Sequence, residues 1–474
     1  MQRNKNKTLG IRVYNTLTGK KEPLPRTRAK LLRLFVCGPT VYDHAHIGHA
    51  RTYIFFDFFA KYLRTRNVTL KYVQNITNVD DKIIKRAAAE KKNPLMLANE
   101  LTREYLRDMR ALRITAVDAY APATKFIPEI VRQVQTLIRK GYGYEIPGDG
   151  WYYDISKFKD YGKLSRRTAA QAEDALSRID ESVEKRNRGD FCLWKFSKAG
   201  EPTWKTALGA GRPGWHIEDT AISAHYFGPQ YELHGGGMDL KFPHHEAEIA
   251  QQEAASGKKP FVKLWMHTGM LTVEGEKMSK SVGNFVSIRS FLARHSPLLL
   301  RFAFLAHHYR MPLDYNEKLI ADAKKTLEGV SLLLGKIALA RRAKRGGTTA
   351  LDTKPYLQRF HAALEDDMNT PAASAELFSL IGKAQPILWQ LSLRSLAALE
   401  KELRASFKLF GIIFEKPVLS PRVAKILKER EAFRSRQQFA HSDRLRKELD
   451  ALGFSLEDTP AGPFVWPHTP RRDI

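Results

Sequence analysis

An apolar strand that leads through a glycine turn into a helix is the feature that most restricts how this chain can fold. Residues 31–37 form an apolar run of strand length, and Gly38 and Pro39 then interrupt it with a turn. From His46 to Arg64 the apolar residues recur at helical spacing. The pattern predicts a strand, a turn and a helix in succession, which is how a doubly wound parallel sheet presents a phosphate-binding site.

Two short motifs give this predicted site its chemistry. At the start of the helix stands His46-Ile47-Gly48-His49, where free backbone N–H groups, the positive end of the helix dipole and two imidazoles can meet phosphate oxygens. Later in the chain, Lys277-Met278-Ser279-Lys280-Ser281 adds two ammonium groups and two hydroxyls on a loop that can close over a nucleotide. Either motif alone is also typical of an ordinary helix start or a solvated loop. The pair predicts a site that stabilises substitution at the α-phosphorus of ATP by charge and position.

The excess of basic residues indicates a polyanionic partner. The 474 residues include 78 Lys and Arg against 51 Asp and Glu, which gives a formal net charge of +27. Because each phosphate that is neutralised releases counterions, such a chain gains affinity for nucleic acid at moderate salt. The alternative interpretation is a generally basic surface.

The sequence also restricts the compartment. No apolar run approaches the roughly 20 residues of a membrane span, and the first residues lack the apolar core of a signal peptide. Only two cysteines, Cys37 and Cys192, are present, so a disulfide framework is excluded. We therefore expect a cytoplasmic protein that does not bind membranes.

Changes of pattern along the chain predict an α/β fold in five segments. Residues 1–141 and 211–290 alternate strand and helix signals, and we interpret them as the two halves of a Rossmann-like catalytic domain with a doubly wound parallel sheet. Between them, residues 142–210 carry hairpin signals around 144–153 and form an inserted connective subdomain. Amphipathic stretches at about 316–342, 355–388 and 393–413 predict an α-helical bundle within the region 291–416. Residues 417–474 form a small α+β segment with one basic helix, a charge pattern that is also typical of a solvated helix face.

A third group of residues has the composition of a metal site. His244 and Glu248 are four residues apart, so on a helix they share a face and can bind one metal ion. Cys37 stands at the carboxyl end of the first predicted strand, where such sheets place their ligands. A thiolate, an imidazole and carboxylates suit zinc with one position free for a substrate.

Several phrases of the sequence, taken together and in order, resemble the cysteinyl-tRNA synthetase family of class I synthetases. They are 37–43 leading into the His46 motif, 75–82, 190–195, Gly214-Trp215-His216-Ile217-Glu218, His234-Gly235-Gly236-Gly237, the Lys277 motif with Gly283-Asn284, and near the end 439–446 and 456–460. The resemblance implies that ATP and L-cysteine form cysteinyl-adenylate, from which the acyl group moves to the terminal adenosine of tRNA(Cys). It also implies an anticodon-binding role for residues 417–474. We expect a monomer.

The resemblance further implies a role for individual residues. The catalytic residues are His46, His49, Lys277 and Lys280. The ATP-binding residues are Thr40, His46, Gly48, His49, Gly235, Gly236, Lys277, Ser279 and Lys280, with Mg²⁺ accompanying the nucleotide. The substrate-binding residues are Gly38, Thr77, Trp215 and Asp239. One Zn²⁺ takes the substrate thiolate and is held by Cys37, Asp219, His244 and Glu248.

Asp219 departs from the family pattern, which usually has a second cysteine ligand after Trp-His-Ile-Glu. Aspartate keeps the ligand charge but is a harder donor, and we predict that zinc is retained. The alternative is that Asp219 only caps a helix and the metal site is weakened or lost. Cys192 stands where the family tends to have an apolar residue, so we expect a buried core thiol.

Two other functions are compatible with the motifs. One is a ligase that activates cysteine in the same way but joins it to an amino sugar, as a related enzyme of the mycothiol pathway does. The other is a non-catalytic tRNA-binding paralogue. Roughly 190 residues follow Ser281, including the basic segment, which favours tRNA as the acceptor. The presence of both histidines and both lysines argues against a decayed ATP site.

Overall fold

The computed structural model describes residues 10–25, 31–167, 184–279, 283–415 and 419–467. The chain divides into two compact units. The first unit comprises Met1–Ala293 together with His308–Tyr315 and Glu365–Met368. The second comprises Arg294–His307, Asn316–Leu364 and Asn369–Ile474.

A five-stranded parallel sheet forms the centre of the first unit. Its strands lie in the order Ala119–Pro122, Thr69–Ile76, Leu31–Val36, Tyr231–Gly237 and Val262–Thr268. All four pairings are parallel. The chain builds outward from Leu31–Val36 in one direction and then in the other, so the order reverses between this strand and Tyr231–Gly237. The predicted doubly wound sheet is confirmed, and its switch point, where such sheets bind ligands, lies between these two strands.

The helix that follows the strand Leu31–Val36 runs over Ile47–Thr65, as its periodicity predicts. We call it the HIGH helix, after the one-letter codes of residues 46–49. It is buried on most sides, and the rings of Phe56 and Phe58 are fully inaccessible. Burying one such ring stabilises the fold by about 1.5–3 kcal/mol, so these rings anchor the middle of the helix in the core. The other helices of the first unit are Asp81–Ala89, Pro94–Ala111, Ile127–Arg139, Ile217–Phe227, His244–Ser256 and Ile288–Leu292, with 3-10 turns at Ala123–Lys125, Ile155–Lys157 and Met238–Lys241.

A second, antiparallel sheet occupies the region predicted as an insertion. Its order is Gly143–Ile146, Gly150–Tyr153, Phe191–Phe196, Gly209–Pro213 and Trp204–Thr206. The first two strands pair Tyr144 with Tyr152, which confirms the predicted hairpin. Residues 168–183 of the predicted insertion lie outside the described residues.

Cys192 is only partly buried, so the prediction of a buried core thiol is wrong. It lies on the strand Phe191–Phe196, where Phe191 and Leu193 point into the core with 3% and 0% exposure. Because side chains alternate along a strand, Cys192 points to the opposite face. There it packs against the small cluster of Tyr144, Ile146 and Tyr152.

Two small groups of strands complete the first unit. Arg12–Asn15 pairs with Lys20–Pro23 as an antiparallel hairpin. Leu271–Val273 pairs with both Glu276–Lys277 and Leu313–Tyr315. The second of these groups carries the start of the Lys277 motif.

The second unit is helical, followed by a small α+β segment. Its helices are Pro297–Leu305, Glu317–Arg342, Lys354–Glu365, Thr370–Ala384 and Leu393–Leu409, with a 3-10 segment at Gln385–Gln390. The prediction of one continuous stretch over 355–388 is wrong, because Asp367 and Met368 adopt φ of 61° and 50° and separate two helices. Within the described residues, no helix is both long and apolar enough to cross a membrane.

The basic segment near the end folds as two helices and a hairpin. The helices are Pro421–Ser435 and Phe439–Ala451, and the hairpin pairs Phe454–Thr459 with Gly462–Pro467. The prediction of one basic helix is wrong, because Gln437 adopts φ of 58° and ends the first helix. Arg430 also departs from a solvated face: it is 1% exposed and forms two 2.9 Å hydrogen bonds to the carboxylate of Asp458.

Candidate active site

Four polar side chains meet beyond the carboxyl end of the strand Leu31–Val36. Cys37 follows this strand directly, and Asp219 lies in the first turn of the helix Ile217–Phe227. His244 and Glu248 lie one turn apart on the helix His244–Ser256, so they share a face. None of the four is more than 3% exposed. The fold thus brings one thiol, one imidazole and two carboxylates together at the switch point of the sheet.

The donor atoms of these residues are within coordinating reach of a common centre. Cys37 Sγ lies 3.1 Å from Asp219 Oδ2 and 3.6 Å from Glu248 Oε1. His244 Nε2 lies 3.1 Å from the same oxygen of Asp219 and 3.4 Å from Glu248 Oε1. The second oxygen of Glu248 is buried and has no hydrogen-bond partner among the described residues. This set of sulfur, nitrogen and oxygen donors fits Zn²⁺.

Two further histidines approach Cys37, and the sequence analysis missed both. His234 Nε2 lies 3.2 Å and His245 Nε2 lies 3.1 Å from Cys37 Sγ. With Glu248 they make a second set of donors that shares the same thiol. The signals were present in His234-Gly235 and in the pair His244-His245, but a histidine next to apolar residues is more often a packed core residue.

Further buried imidazoles form hydrogen bonds with the histidines of these donor sets. The hydrogen-bonded pairs are His216 Nδ1 and His244 Nδ1 at 2.8 Å, His245 Nδ1 and His267 Nε2 at 2.8 Å, His267 Nδ1 and Thr16 Oγ1 at 2.9 Å, and the Tyr231 hydroxyl and His234 Nδ1 at 2.6 Å. Burial lowers the pKa of His216, His234 and His245 well below the ordinary value, and that of His267 to about 3. Each ring is therefore neutral at pH 7, and the hydrogen bond of one nitrogen fixes the role of the other.

The acidic groups of the cluster repel one another in a dry environment. Burial, followed by the charges of Asp219 and Glu248, raises the pKa of the Cys37 thiol well above its usual range. Burial and the charge of Asp219 likewise raise the pKa of Glu248 and of Glu218. A divalent cation among these groups would offset both effects, because it favours the ionised forms of its ligands.

The start of the HIGH helix is capped by its own histidines. His46 is the N-cap residue: its Nδ1 accepts from the backbone N–H of His49, and His49 Nδ1 accepts from the N–H of His46, both at 3.4 Å. The two rings stack with centroids 3.7 Å apart. Burial lowers the pKa of His46 to about 4 and that of His49 well below the ordinary value. These imidazoles are neutral at pH 7 and can meet phosphates as N–H donors, without a charge.

The segment around the Lys277 motif reaches the same helix start. Ile47 N–H donates to the carbonyl oxygen of Val286 at 3.1 Å. Lys277 is exposed, and the N–H of Ser279 donates to Asn284 Oδ1 at 2.8 Å. Lys280 and Ser281 lie outside the described residues. Met278 of the motif lies beside the helix start, because a Cβ on Gly48 would lie 3.4 Å from its Cε.

Close backbone contacts explain the glycines at this edge. A Cβ on Gly38 would lie 1.7 Å from the carbonyl oxygen of Asn75, and one on Gly235 would lie 2.2 Å from the ring of Phe56. The loop at Gly38 runs beside Thr77, whose N–H donates to Pro39 at 3.1 Å and whose carbonyl accepts from Val41 at 3.0 Å. Only glycine allows the backbone to approach this closely, so the walls of the site are fixed by the main chain.

Comparison with known proteins identifies the family. Residues 23–325 match the family model described as the tRNA synthetases class I (C) catalytic domain, and residues 359–415 match the DALR domain. The cysteine–tRNA ligase of Thermococcus onnurineus (strain NA1) is 42% identical over 477 residues, which cover 97% of this chain and 99% of that protein. The chain belongs to the cysteine–tRNA ligase family. The cysteine–tRNA ligase of Coxiella burnetii (strain RSA 493 / Nine Mile phase I) is 39% identical over 96% of this chain and 99% of that protein.

Solved structures share the fold of this family member. The Mycobacterium tuberculosis methionyl-tRNA synthetase in complex with methionyl-adenylate matches 80% of this chain and 89% of that chain, with a TM-score of 0.58 and 15% identity. At this identity the likeness concerns the fold alone. It agrees with the doubly wound sheet and the helical unit described above.

The substrate-binding residues that the cysteine–tRNA ligase resemblance implies differ in their burial and in their distance from the cluster. The centroid of the Trp215 ring lies 4.6 Å from that of His244, so Trp215 borders the cluster of donor side chains. Thr77 is 2% exposed, and its hydroxyl donates to the buried carboxylate of Glu218, a residue that the sequence analysis did not single out. Asp239 is exposed on the turn after the strand Tyr231–Gly237. Its role stays a prediction.

Proposed function

We propose that the chain joins L-cysteine to tRNA(Cys) in two steps. A carboxylate oxygen of cysteine attacks the α-phosphorus of ATP, which yields cysteinyl-adenylate and releases pyrophosphate. A hydroxyl of the terminal adenosine of tRNA then attacks the acyl carbon, and AMP leaves. Relatives named cysteine–tRNA ligase that match nearly the whole of both chains support this activity.

One observation carries the choice of amino acid. The cluster of Cys37, Asp219, His244 and Glu248 lies at the end of the same strand that leads through Gly38 to the HIGH helix. A set of metal donors so close to the ATP motifs suits an amino acid whose side chain is itself a metal ligand. Among the protein amino acids, cysteine is the one whose short side chain ends in a thiolate.

The adenylation step depends on hydrogen bonds and fixed charge. We assign His46 and His49 as N–H donors to phosphate oxygens; burial keeps both rings neutral, so each ring offers one N–H group and no charge. Positive charge comes from Lys277, from Lys280 and from Mg²⁺ bound with ATP. Such preorganised donors typically contribute 10²–10³ each to the rate of a step in which negative charge develops. Thr40, Gly48, Gly235, Gly236 and Ser279 complete the proposed nucleotide contacts.

Selection of cysteine depends on zinc held by Cys37, Asp219, His244 and Glu248. Bound there, zinc supplies a Lewis-acid position that favours a soft sulfur donor over the hydroxyl of serine. Trp215 borders the side-chain pocket, Thr77 and Asp239 orient the amino acid, and Asp239 is suited to its ammonium group. Gly38 completes the proposed substrate contacts. The buried hydrogen bond from Thr77 to Glu218 fixes the rotamer of that threonine.

The basic C-terminal segment is the proposed tRNA-binding part. Arg444, Arg446 and Lys447 are exposed on one helix, where they can meet phosphates. Arg430 and Asp458 tie the first helix of the segment to its hairpin. We further propose that the protein acts in the cytoplasm, on tRNA as its polyanionic partner.

Two assays with one preparation test the proposal. We expect ATP–pyrophosphate exchange with cysteine, little exchange with serine, and transfer of labelled cysteine to the 3′ end of tRNA(Cys). Exchange with cysteine but no charging of any tRNA would favour an amino-sugar acceptor instead. No exchange with any amino acid would favour the non-catalytic tRNA-binding paralogue.

A further inference from the structure

We propose that Asn75 is a positioning residue that restricts Asp219 to one metal-binding oxygen and so keeps a coordination position open for the substrate sulfur. The inference rests on the zinc site of the proposed function. Asp219 has two oxygens that can bind a metal ion, whereas the cysteine usual at this position has one sulfur, so the second oxygen needs another partner.

The two oxygens of Asp219 face different partners. Oδ2 points into the donor cluster, 3.1 Å from Cys37 Sγ and 3.1 Å from His244 Nε2. Oδ1 points away from it and accepts a hydrogen bond from Asn75 Nδ2 at 2.5 Å. The carboxylate is therefore divided between the cluster and a neighbouring strand.

The orientation of the Asn75 amide is fixed from both ends. Its Oδ1 accepts from the backbone N–H of Gly38 at 2.6 Å, while its Nδ2 donates to Asp219. A backbone N–H can only donate and an ionised carboxylate can only accept, so a flipped amide would lose both hydrogen bonds. Asn75 is 1% exposed and Asp219 is 0% exposed, so bulk water does not compete with this amide for Oδ1. The structure thus supplies a dedicated donor for Oδ1.

This donor matters because a carboxylate, unlike a thiolate, has two atoms that can bind a metal. A catalytic zinc site keeps one position for the substrate. If both oxygens of Asp219 bound the ion, the second would occupy that position and compete with the sulfur of cysteine. The hydrogen bond from Asn75 gives Oδ1 another partner, and loss of such a supporting contact typically costs 10–100-fold in affinity or activity.

A comparison of two backgrounds tests the proposal. Asn75→Ala is made in the wild type and in Asp219→Cys, each protein is loaded with Co²⁺, and L-cysteine is titrated by the sulfur-to-cobalt charge-transfer absorption. In the wild-type background we expect full metal content and a cysteine Kd raised about tenfold. In the Asp219→Cys background we expect less than a twofold change, because a thiolate offers only one donor. Asn75→Ala removes the hydrogen bond from Gly38 N–H in both backgrounds, so its effect on the Kd cancels when the two backgrounds are compared.

Asn15 provides the matched control. It is 1% exposed, its amide donates to the carboxylate of Glu22 at 3.0 Å and to the carbonyl oxygen of Lys263 at 3.1 Å, and neither partner is a donor of the cluster. Asn15→Ala should leave the cysteine Kd unchanged. An equal rise of the Kd in both backgrounds, or no rise in the wild-type background, would overturn the role of Asn75 while leaving the zinc site intact. Failure of the wild type to take up zinc or cobalt would overturn the proposed site itself.

A crystal structure of the zinc-loaded wild type gives an answer that does not depend on a variant. The proposal requires Oδ2 of Asp219 at a ligand distance and Oδ1 on the Asn75 amide. Both oxygens at about 2.0–2.2 Å from zinc would contradict it.

Discussion

Gly48→Ala tests whether the start of the HIGH helix is as tightly packed as described. By helix propensity alone, alanine at this position should stabilise the chain by roughly 0.5–1 kcal/mol. The added Cβ, however, would lie 2.9 Å from Cε1 and Nδ1 of His46 and 3.4 Å from Cε of Met278. The His46 ring cannot swing away freely, because it stacks on His49 at 3.7 Å and meets the edge of Phe285 at 5.6 Å.

The steric cost of the added Cβ should exceed the gain from helix propensity. Overpacking costs about 1–3 kcal/mol, and loss of the N-cap hydrogen bond costs about 1 kcal/mol. Less the gain in propensity, Gly48→Ala should destabilise the first unit by roughly 1–3 kcal/mol. A displacement of the imidazole by about 1 Å should lower the rate of ATP–pyrophosphate exchange about 100-fold. The binding of cysteine should change much less.

Controls for this substitution come from helix interiors. A Cβ on Gly329 or Gly382 meets no described atom within 4 Å. Alanine at either position should therefore raise stability by roughly 0.5–1 kcal/mol and leave the exchange rate unchanged. Thermal melts and exchange kinetics of the three variants check the prediction. If Gly48→Ala matched the controls in both, the reasoning about the packing of His46 would be refuted.

Three further predictions concern the ATP loop, the C-terminal segment and pH. Lys280→Ala should lower the exchange rate by about 10²–10³ with little change in cysteine binding. Lys258→Ala, at an exposed position, should change neither the exchange rate nor cysteine binding. Equal losses of rate and binding in Lys280→Ala would show that the loop does not act in the transition state. Deletion from residue 417 should spare exchange but impair tRNA charging, and unchanged charging would refute the assignment of this segment. Burial lowers the pKa of His46 to about 4, so below its ordinary value of 6.5 the unfolded chain binds a proton that the folded chain does not. His46 alone should therefore contribute a loss of stability of about 1.4 kcal/mol per pH unit as the pH falls from about 6.5 to 4. Urea unfolding of His46→Asn should have a shallower pH dependence than that of the wild type, and identical slopes would contradict the burial argument.

Local pattern was sufficient for the elements that surround the site. The run 31–37, the turn at Gly38 and the helical spacing after His46 predict the strand, turn and helix correctly, because each signal acts within a few residues. The structure also brings Cys37, Asp219, His244 and Glu248 together, and their role as zinc ligands stays a prediction. That grouping was accessible because strand ends and helix faces are properties of short segments.

Features that depend on distant partners were not accessible. His234 and His245 approach Cys37 only because the strand Tyr231–Gly237 inserts next to Leu31–Val36, a pairing that no local pattern specifies. The hydrogen bond from Asn75 to Asp219 joins residues 144 positions apart. The sequence alone gives no reason to distinguish Arg430 from the surface cations around it. Only the folded hairpin brings Asp458 into hydrogen-bond contact with its guanidinium group. The break at Gln437 carries neither glycine nor proline, so the two C-terminal helices read as one.

The most direct test of the central claim is cysteine-dependent ATP–pyrophosphate exchange measured before zinc removal, after it and after zinc is restored, with serine in parallel. We expect exchange with cysteine to be lost with the metal and to return with it, while serine supports little exchange in any state. Full exchange with cysteine in the metal-free protein, or comparable exchange with serine, would contradict the claim that the cluster around Cys37 selects a thiol.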